Sequence, residues 1–187
     1  MARQDIMPYD SPFGGTCRVM EFRLNASETF LQGEPVSVNT DGELTESADD
    51  PVDADLLGIA ATGGDTTAGT GSIDPNTGDV ITTGGMVKVF MPSTNQTFIT
   101  SNFSSAGSAF GDVAPAVANL GDEAGLSLIS GSWGIDISAT NNTCRIVDIL
   151  DANGQSIQRS GATGTRVVFV IVAHQNNSLG AADAPAA

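Results

Sequence analysis

The sequence has few basic residues, few aromatic residues and a single histidine. Of its 187 residues, 22 are acidic and 7 are basic, which gives a formal charge of −15, and Lys88 is its only lysine. Phosphate contacts and anionic membrane surfaces require clustered Lys and Arg, so we expect neither a nucleic-acid partner nor a membrane partner. A strongly acidic composition is typical of a soluble surface that repels other copies of itself.

Long hydrophobic runs are also lacking. No run of about 18 apolar residues exists, which argues against a transmembrane helix. The start MARQDIMPYDSPFGG lacks the basic and apolar regions of a signal peptide, so we expect the chain to be made in a cytoplasm. The length fits one domain, and we predict an irregular N-terminal arm over 1–15, a β-barrel domain over 16–175 and a flexible tail over 176–187.

The residues that usually carry catalysis are scarce. Cys17 and Cys144 are too far apart in the sequence for a zinc site built from closely spaced pairs. We favour two reduced thiols that behave as small apolar residues over a disulfide formed after release from the cell. His174 ends a long apolar run, where a structural role is more common than that of a catalytic base. No nucleophile elbow, P-loop lysine or Rossmann spacing occurs, so we predict no catalytic residues, no cofactor and no enzyme activity.

The acidic run ESADDPVDAD is the best candidate for a metal site. Asp49, Asp50, Asp53 and Asp55 supply the carboxylate oxygens that Ca²⁺ prefers, but their spacing is not that of an EF-hand and Pro51 stiffens the segment. We therefore favour a solvated connector over a calcium site and predict no bound metal.

Two other features have a structural and a functional interpretation. Trp133 lies between glycines, and we predict an anchor in the core or at a subunit interface rather than a sugar-stacking platform. Glycosylation sequons are expected by chance in a chain this rich in Asn and Thr, and they begin at Asn25, Asn95, Asn102, Asn141 and Asn176.

Alternating apolar residues separated by Gly, Asn and Asp turns predict about eight to ten short strands. The segment 17–24 predicts a first strand, and FLQGEPVSVNTDGELTES predicts a hairpin with a two-residue turn at Asp41-Gly42. The segment 165–174 predicts a central strand buried on both faces. Over 112–125 we prefer two short strands to a helical turn. The predicted fold class is all-β, a compact β-barrel or β-sandwich.

Several remaining segments refine this pattern. Gly58, within LLGIAA, predicts a bulge or a close approach of another backbone. Asn153-Gly154 predicts a second hairpin turn. The Gly- and Thr-rich stretch 62–79 predicts a long loop.

The order of these elements resembles the small β-barrel decoration, or cement, proteins of tailed-bacteriophage capsids. The likeness covers roughly residues 28–151 and consists of a Gly-x-Pro-Val entry, an Asp-Gly turn, a Leu-Gly-Ile-Ala strand, a Val-x-Val-Phe strand and a later Phe. The matching positions are Gly33, Pro35, Val36, Asp41, Gly42, Leu57, Gly58, Ile59, Ala60, Val87, Val89, Phe90 and Phe98.

This resemblance implies a structural virion protein on the capsid surface. It would bind the major capsid protein, often as a homotrimer, and stabilise the lattice against internal DNA pressure. Two alternatives remain open, namely another virion component such as a tail, neck or head-fibre protein, and a carbohydrate-binding adhesion module. Aromatic residues make up only 5% of the chain, which disfavours the adhesion module.

Overall fold

The computed structural model describes residues 6–9, 17–25, 28–65, 72–73, 80–81, 86–93 and 96–172. Within these ranges the chain forms strands, two short 3-10 turns and no α-helix, so the predicted all-β class is confirmed. Ten strands have three or more residues and six have only two. The prediction of eight to ten strands therefore describes the longer strands and misses the short ones.

The larger sheet has seven strands and contains the most apolar segment of the chain. Its strand β16 (Arg166–Ile171) lies between two neighbours and is largely buried on both faces, as predicted. All pairings in this sheet are antiparallel except that of β12 (Phe103–Ser104) with β14 (Ser132–Asp136). In spatial order the strands are β1 (Met7–Pro8), β11 (Thr97–Thr100), β16 (Arg166–Ile171), β15 (Cys144–Leu150), β13 (Glu123–Ile129), β14 (Ser132–Asp136) and β12 (Phe103–Ser104).

The smaller sheet has five strands and closes on itself as a small barrel. Its two edges meet where Leu24 forms a bridge with Leu44, and the amide of Asn25 donates to the carbonyl of Leu44 at 2.9 Å. This contact covers part of the two strand edges, and exposed edges otherwise favour aggregation. In order the strands are β2 (Val19–Arg23), β10 (Met86–Phe90), β6 (Gly58–Ala60), β4 (Pro35–Val38) and β5 (Leu44–Glu46).

Two strand pairs and two turns complete the fold. β3 (Thr29–Phe30) pairs with β7 (Gly64–Asp65), and β8 (Ser72–Ile73) pairs with β9 (Val80–Ile81). The predicted loop over 62–79 therefore contains β7 and β8. The 3-10 turns span Asp53–Asp55 and Val117–Asn119.

The second 3-10 turn corrects the prediction of two short strands over 112–125. Asn119 Oδ1 accepts a hydrogen bond from the amide of Ala116 at 2.9 Å, and the amide of Asn119 donates to the carbonyl of Ala116 at 2.8 Å. These local bonds hold a turn at Val117–Asn119, and only Glu123–Ile129 continues as a strand.

Each sheet has its own hydrophobic core. The barrel encloses one core, which includes Leu24, Phe30, Val36, Leu44, Ala60, Val87 and Val89. The larger core lies on one face of the seven-stranded sheet and includes Phe98, Phe103, Leu126, Trp133, Ile135, Ile146, Phe169 and Ile171. Leu56 and Ile59, on the barrel side, belong to this larger core, with Phe90 packed against it, so the two sheets are packed together.

The N-terminal segment is partly regular. β1 pairs with β11 at the edge of the large sheet, and the side chain of Ile6 is 1% exposed in the larger core. The predicted irregular arm over 1–15 is therefore wrong for Met7–Pro8. The rest of that arm, except Ile6 and Tyr9, and the whole predicted tail over 176–187 lie outside the described residues.

Candidate functional site

The positions that carry the family resemblance come together in the barrel, except Phe98, which lies in β11 of the larger sheet. Gly33 has φ of 90° and its amide donates to the carbonyl of Ala60 at 2.9 Å, which joins the Gly-x-Pro entry to the Leu-Gly-Ile-Ala strand. A Cβ on Gly58 would lie 2.5 Å from the carbonyl oxygen of Phe90. The predicted close backbone approach at Gly58 is thereby confirmed, and β6 needs glycine where it lies against the backbone of β10.

The predicted hairpin is present, but its turn is longer than two residues. The Asn39 and Glu43 backbones pair at 3.0 Å, and Gly42 has φ of 78°. Asn39 Oδ1 accepts hydrogen bonds from the amides of Asp41 and Glu43 at 3.0 and 2.9 Å. This is a three-residue turn, a type I turn followed by a residue in the left-handed region, which favours glycine at its last position.

The same turn is built a second time, in the large sheet. The amide of Asp151 donates to the carbonyl of Gln155 at 2.9 Å, and Gly154 has φ of 81°. Asp151 Oδ1 accepts from the amides of Asn153 and Gln155, and these backbone bonds, that of Gln155 foremost, lower the pKa of the Asp151 carboxyl. The prediction of a hairpin turn at Asn153-Gly154 is confirmed.

The acidic run joins the two sheets, so the prediction of a merely solvated connector is incomplete. Asp49 Oδ1 accepts from the amide of Leu128 in β13 at 2.7 Å. The Asp50 carboxylate accepts from the amides of Thr140 and Asn141 at 2.9 and 3.2 Å, and Asn141 Nδ2 donates to the Asp50 carbonyl at 2.7 Å. We call residues 49–55 the acidic connector, because it fastens the barrel to the loop after β14.

Close packing accompanies these bonds. Asp50 adopts φ of 50°, a region that Asp tolerates better than most residues. A Cβ on Gly125 would lie 2.8 Å from Asp50 Oδ1 and 2.5 Å from the Cβ of Ala139. The absence of a side chain at Gly125 therefore makes room for the carboxylate.

The calcium alternative gains no support from this geometry. Among the described side chains, no group of three or more His, Cys, Asp or Glu residues is arranged to hold a metal ion. The side chain of Asp53 lies outside the described residues, and Asp55 is exposed. The carboxylates of Asp49 and Asp50 are directed at backbone amides, which accounts for their position without an ion.

Sequence reasoning missed a second group of acidic and hydroxyl side chains, at β12 and β14. Asp136 is 3% exposed, and its Oδ1 accepts from the amide and the hydroxyl of Ser138 at 2.9 and 2.8 Å. Ser104 is fully buried, donates to Asp112 at 3.2 Å and accepts from the amide of Gly107 at 3.0 Å. These bonds shape the 104–112 loop, and Asp at the end of an apolar strand was the only sequence signal for them.

The two thiols are free and differ in burial. Cys144 is fully buried in the larger core, and burial raises the pKa of its thiol to about 12. Cys17 is partly exposed beside β2, and burial raises the pKa of its thiol to about 11. Neither environment activates a thiolate nucleophile, because activation requires a lowered pKa.

The other candidate residues have structural roles where they are described. Trp133 is fully buried in the larger core, which confirms a core anchor and removes this ring from any sugar-stacking surface. Asn102 Nδ2 donates to the carbonyl of Trp133 at 2.8 Å, and Asn25 Nδ2 donates to Glu28 at 3.4 Å. The amides of these two sequons, and that of Asn141, are thus engaged within the protein. His174, Asn95 and Asn176 lie outside the described residues.

A shallow cleft of about 260 Å³ lies between the β12 region and the segment that leads into β16. Its walls are mostly small or apolar, and they include Phe103, Val113, Pro115, Gly164 and Thr165. None of the residues that line it carries a charged or titratable group, so the hydroxyls of Ser101 and Thr165 have no acid or base beside them in the lining.

No helix in the described ranges has the length and hydrophobicity needed to cross a bilayer. No protein-family model matches the sequence, and a comparison with curated proteins finds no similar chain.

Proposed function

We propose that this chain is a structural virion protein that binds the outer surface of a phage capsid and stabilises the lattice of the major capsid protein. In this role it acts as a decoration protein, as a homo-oligomer and without a cofactor. Its place of action is the capsid surface, after synthesis in the cytoplasm of the host cell.

One observation carries the proposal, namely that the residues of the resemblance form a single structural unit. All of them except Phe98 lie in the five-stranded barrel or its turns. Gly33, Gly42 and Gly58 each stand where positive φ or a close backbone contact requires glycine. Their place in one barrel supports the proposal, because the resemblance is to a family of small β-barrel proteins.

Two further features support a binding role rather than catalysis. The carboxylates of Asp49 and Asp50 are directed at backbone amides, and the cleft is lined by groups without acid–base chemistry. A formal charge of −15 is suited to a particle surface, because like-charged particles resist aggregation.

The two alternative functions make different predictions for this protein. A tail, neck or head-fibre protein would share the barrel and would differ in its position on the virion. An adhesion module that binds carbohydrate would need exposed aromatic platforms, whereas the single tryptophan is fully buried.

The test uses purified full-length chain and empty capsids of the matching phage prepared without it. We expect the protein to co-sediment with the capsids and to raise the temperature at which they break open. An unrelated protein of similar size and negative charge serves as the control for a non-specific effect. A chain that neither binds the capsids nor changes their thermal stability contradicts the proposal.

A further inference from the structure

The tip of the hairpin that follows β15 carries the only Asn-Gly pair of the chain, at Asn153-Gly154. Every other asparagine is followed by a residue with a side chain. Asn153 is exposed, and Gly154 is partly exposed with φ of 81°. The backbone amide of glycine is the least hindered one that can follow an asparagine, because no Cβ shields it. This pair is therefore where the chain is most open to attack of a backbone nitrogen on the preceding side-chain amide.

The chemistry open to this pair is deamidation. The Gly154 nitrogen loses its proton to a base from the solvent and forms a bond to Cγ of Asn153, while the Cγ–Nδ2 bond breaks and ammonia leaves. Water then opens the five-membered imide at either of its carbonyls, which leaves aspartate or isoaspartate. The net reaction consumes water and releases ammonia, and it needs no oxidant, reductant or cofactor.

The fold holds the attacking nitrogen inside the turn. The amide of Gly154 donates to the carbonyl of Asp151 at 3.1 Å, and the amide of Asp151 closes the turn by donating to the carbonyl of Gln155 at 2.9 Å. Asp151 Oδ1 accepts from the amides of Asn153 and Gln155 at 2.8 and 2.9 Å. The Gly154 nitrogen must leave its hydrogen bond before it reaches Cγ, so the folded turn opposes the reaction.

The charge of the Asp151 carboxylate opposes the reaction as well. Hydrogen bonds from the amide of Gln155, and then from Asn153 and Gly154, hold the pKa of the Asp151 carboxyl below its ordinary value. The group is therefore ionised at neutral pH, and its negative charge disfavours loss of the neighbouring Gly154 proton. A carboxylate of lowered pKa is also a weak base, so it does not take up that proton itself.

Contacts outside the turn keep it closed while the chain is folded. The amide of Ile157 donates to the carbonyl of Ile149 at 2.9 Å, at the base of the hairpin. From the neighbouring strand β16, Arg166 Nη2 donates to the carbonyl of Ala152 at 3.1 Å. These contacts are lost when the hairpin opens, and the turn then loses its support.

We propose that Asn153 is a site of spontaneous deamidation, and that the turn built around Asp151 keeps the reaction slow for as long as the hairpin is folded. Asp151 is a positioning residue, because it acts on the Gly154 amide and not on the reacting carbon. The loss of one hydrogen bond of ordinary strength corresponds to about a two- to tenfold change in rate. The inference is independent of the proposed capsid role, because it concerns the chain by itself.

The two products affect the hairpin differently. Aspartate adds a second negative charge to the turn, beside Asp151. Isoaspartate carries the main chain through its Cβ and so lengthens it by one atom, which does not fit the three-residue turn between Asp151 and Gln155. A chain that has formed isoaspartate at this site therefore cannot close the turn as before.

The experiment follows the reaction in the purified full-length chain at mildly alkaline pH, folded in buffer and unfolded in guanidinium chloride. Trypsin cleaves after Arg145 and Arg159 and releases the peptide 146–159, in which Asn153 is the only asparagine. Mass spectrometry measures the conversion of amide to acid, and an isoaspartate methyltransferase distinguishes the two products. We expect conversion at Asn153 in both states, and a rate about tenfold or more lower in the folded chain.

Two variants test the role of Asp151. Asp151→Ala removes the acceptor for the amides of Asn153 and Gln155, and we expect its folded form to react about two- to tenfold faster than the wild type. Asp151→Asn keeps an acceptor, as Asn39 does in the equivalent turn of the barrel, and should retain most of the protection. Thermal melting confirms that each variant is folded at the temperature used, and in guanidinium chloride both should react like the wild type.

Gly154→Ala is the control for the chemistry. Its added Cβ hinders the attacking nitrogen, so the unfolded variant should react more slowly than the unfolded wild type.

Equal rates in the folded and the unfolded wild type would overturn the inference, as would an unfolded chain that shows no conversion at Asn153. This comparison depends on no variant. A folded Asp151→Ala variant that reacts no faster than Asp151→Asn would show that Asp151 does not hold the Gly154 amide.

Discussion

Asp50 shows how one carboxylate connects the two halves of the molecule. Replacement of Asp50 by Gly allows the positive φ without strain and removes the acceptor for the amides of Thr140 and Asn141. We expect the free energy of unfolding to fall by about 1–3 kcal/mol, since partly buried amides lose their partners. Urea denaturation measures the loss.

Asp55→Gly is the matched control, because it removes the same charge from an exposed side chain and should change stability by less than about 1 kcal/mol. Equal losses in both variants would contradict the role of Asp50.

Cys144 predicts a dependence of stability on alkaline pH. Burial raises the pKa of its thiol from the ordinary 9.0 to about 12, so between these values the unfolded chain releases a proton that the folded chain retains. The contribution of this thiol to the free energy of unfolding is therefore fully present below pH 9. It falls as pH rises towards 12, by about 1.4 kcal/mol per pH unit. Urea denaturation at several pH values measures this slope. The variant Cys144→Val, compared over the same range, should show a shallower decline, and identical slopes would count against the buried thiol.

At the scale of single elements, the two three-residue turns make a prediction about backbone conformation alone. A Cβ on Gly42 or Gly154 would meet no atom within 4 Å, and both residues have positive φ. We expect Gly42→Ala and Gly154→Ala each to cost about 1–2 kcal/mol through the left-handed conformation. Gly42→Asn and Gly154→Asn should cost less, because Asn tolerates this region. Thermal unfolding measures the stability of both pairs of variants. An Asn variant less stable than its Ala counterpart would show that the left-handed conformation is not the cause of the lost stability.

The elements also show what sequence patterns capture. The segment 17–24 was predicted as a strand from local alternation, and the structure forms β2 there, with Leu24 in the barrel core and Phe22 packed against it. β16 was likewise predicted, because a long β-branched run indicates a strand with neighbours on both sides. In both cases the signal is local in the sequence.

Features that depend on distant partners could not be predicted. The contacts of Asp49 and Asp50 reach residues 79 to 91 positions away, and an acidic run alone does not indicate which amides it will meet. β1 has only two residues and owes its place to its pairing with β11 and to the burial of Ile6. The 3-10 turn after Pro115 was mistaken for a strand because its stabilising bond comes from the Asn119 side chain, which alternation does not reveal.

For the molecule as a whole, the excess of negative charge is the dominant electrostatic property. With a formal charge of −15, repulsion acts across the folded chain, whereas the exposed ion pairs Arg23–Glu43 and Arg145–Glu123 contribute little. An increase of ionic strength from about 0.01 to 0.15 M shortens the Debye length from about 30 to 8 Å and screens that repulsion. We therefore expect the urea midpoint to rise over this range.

Variants that change the net charge sharpen this expectation. Arg18→Glu/Lys88→Glu makes the chain four charges more negative, and Glu46→Lys/Asp55→Lys makes it four charges less negative. The rise in urea midpoint with salt should be larger in the first variant and smaller in the second, because self-repulsion grows with net charge. The comparison is made at a protein concentration low enough to keep every variant monomeric. A midpoint that falls with salt in the wild type would mean that specific ion pairs, and not net repulsion, govern the electrostatics of this fold.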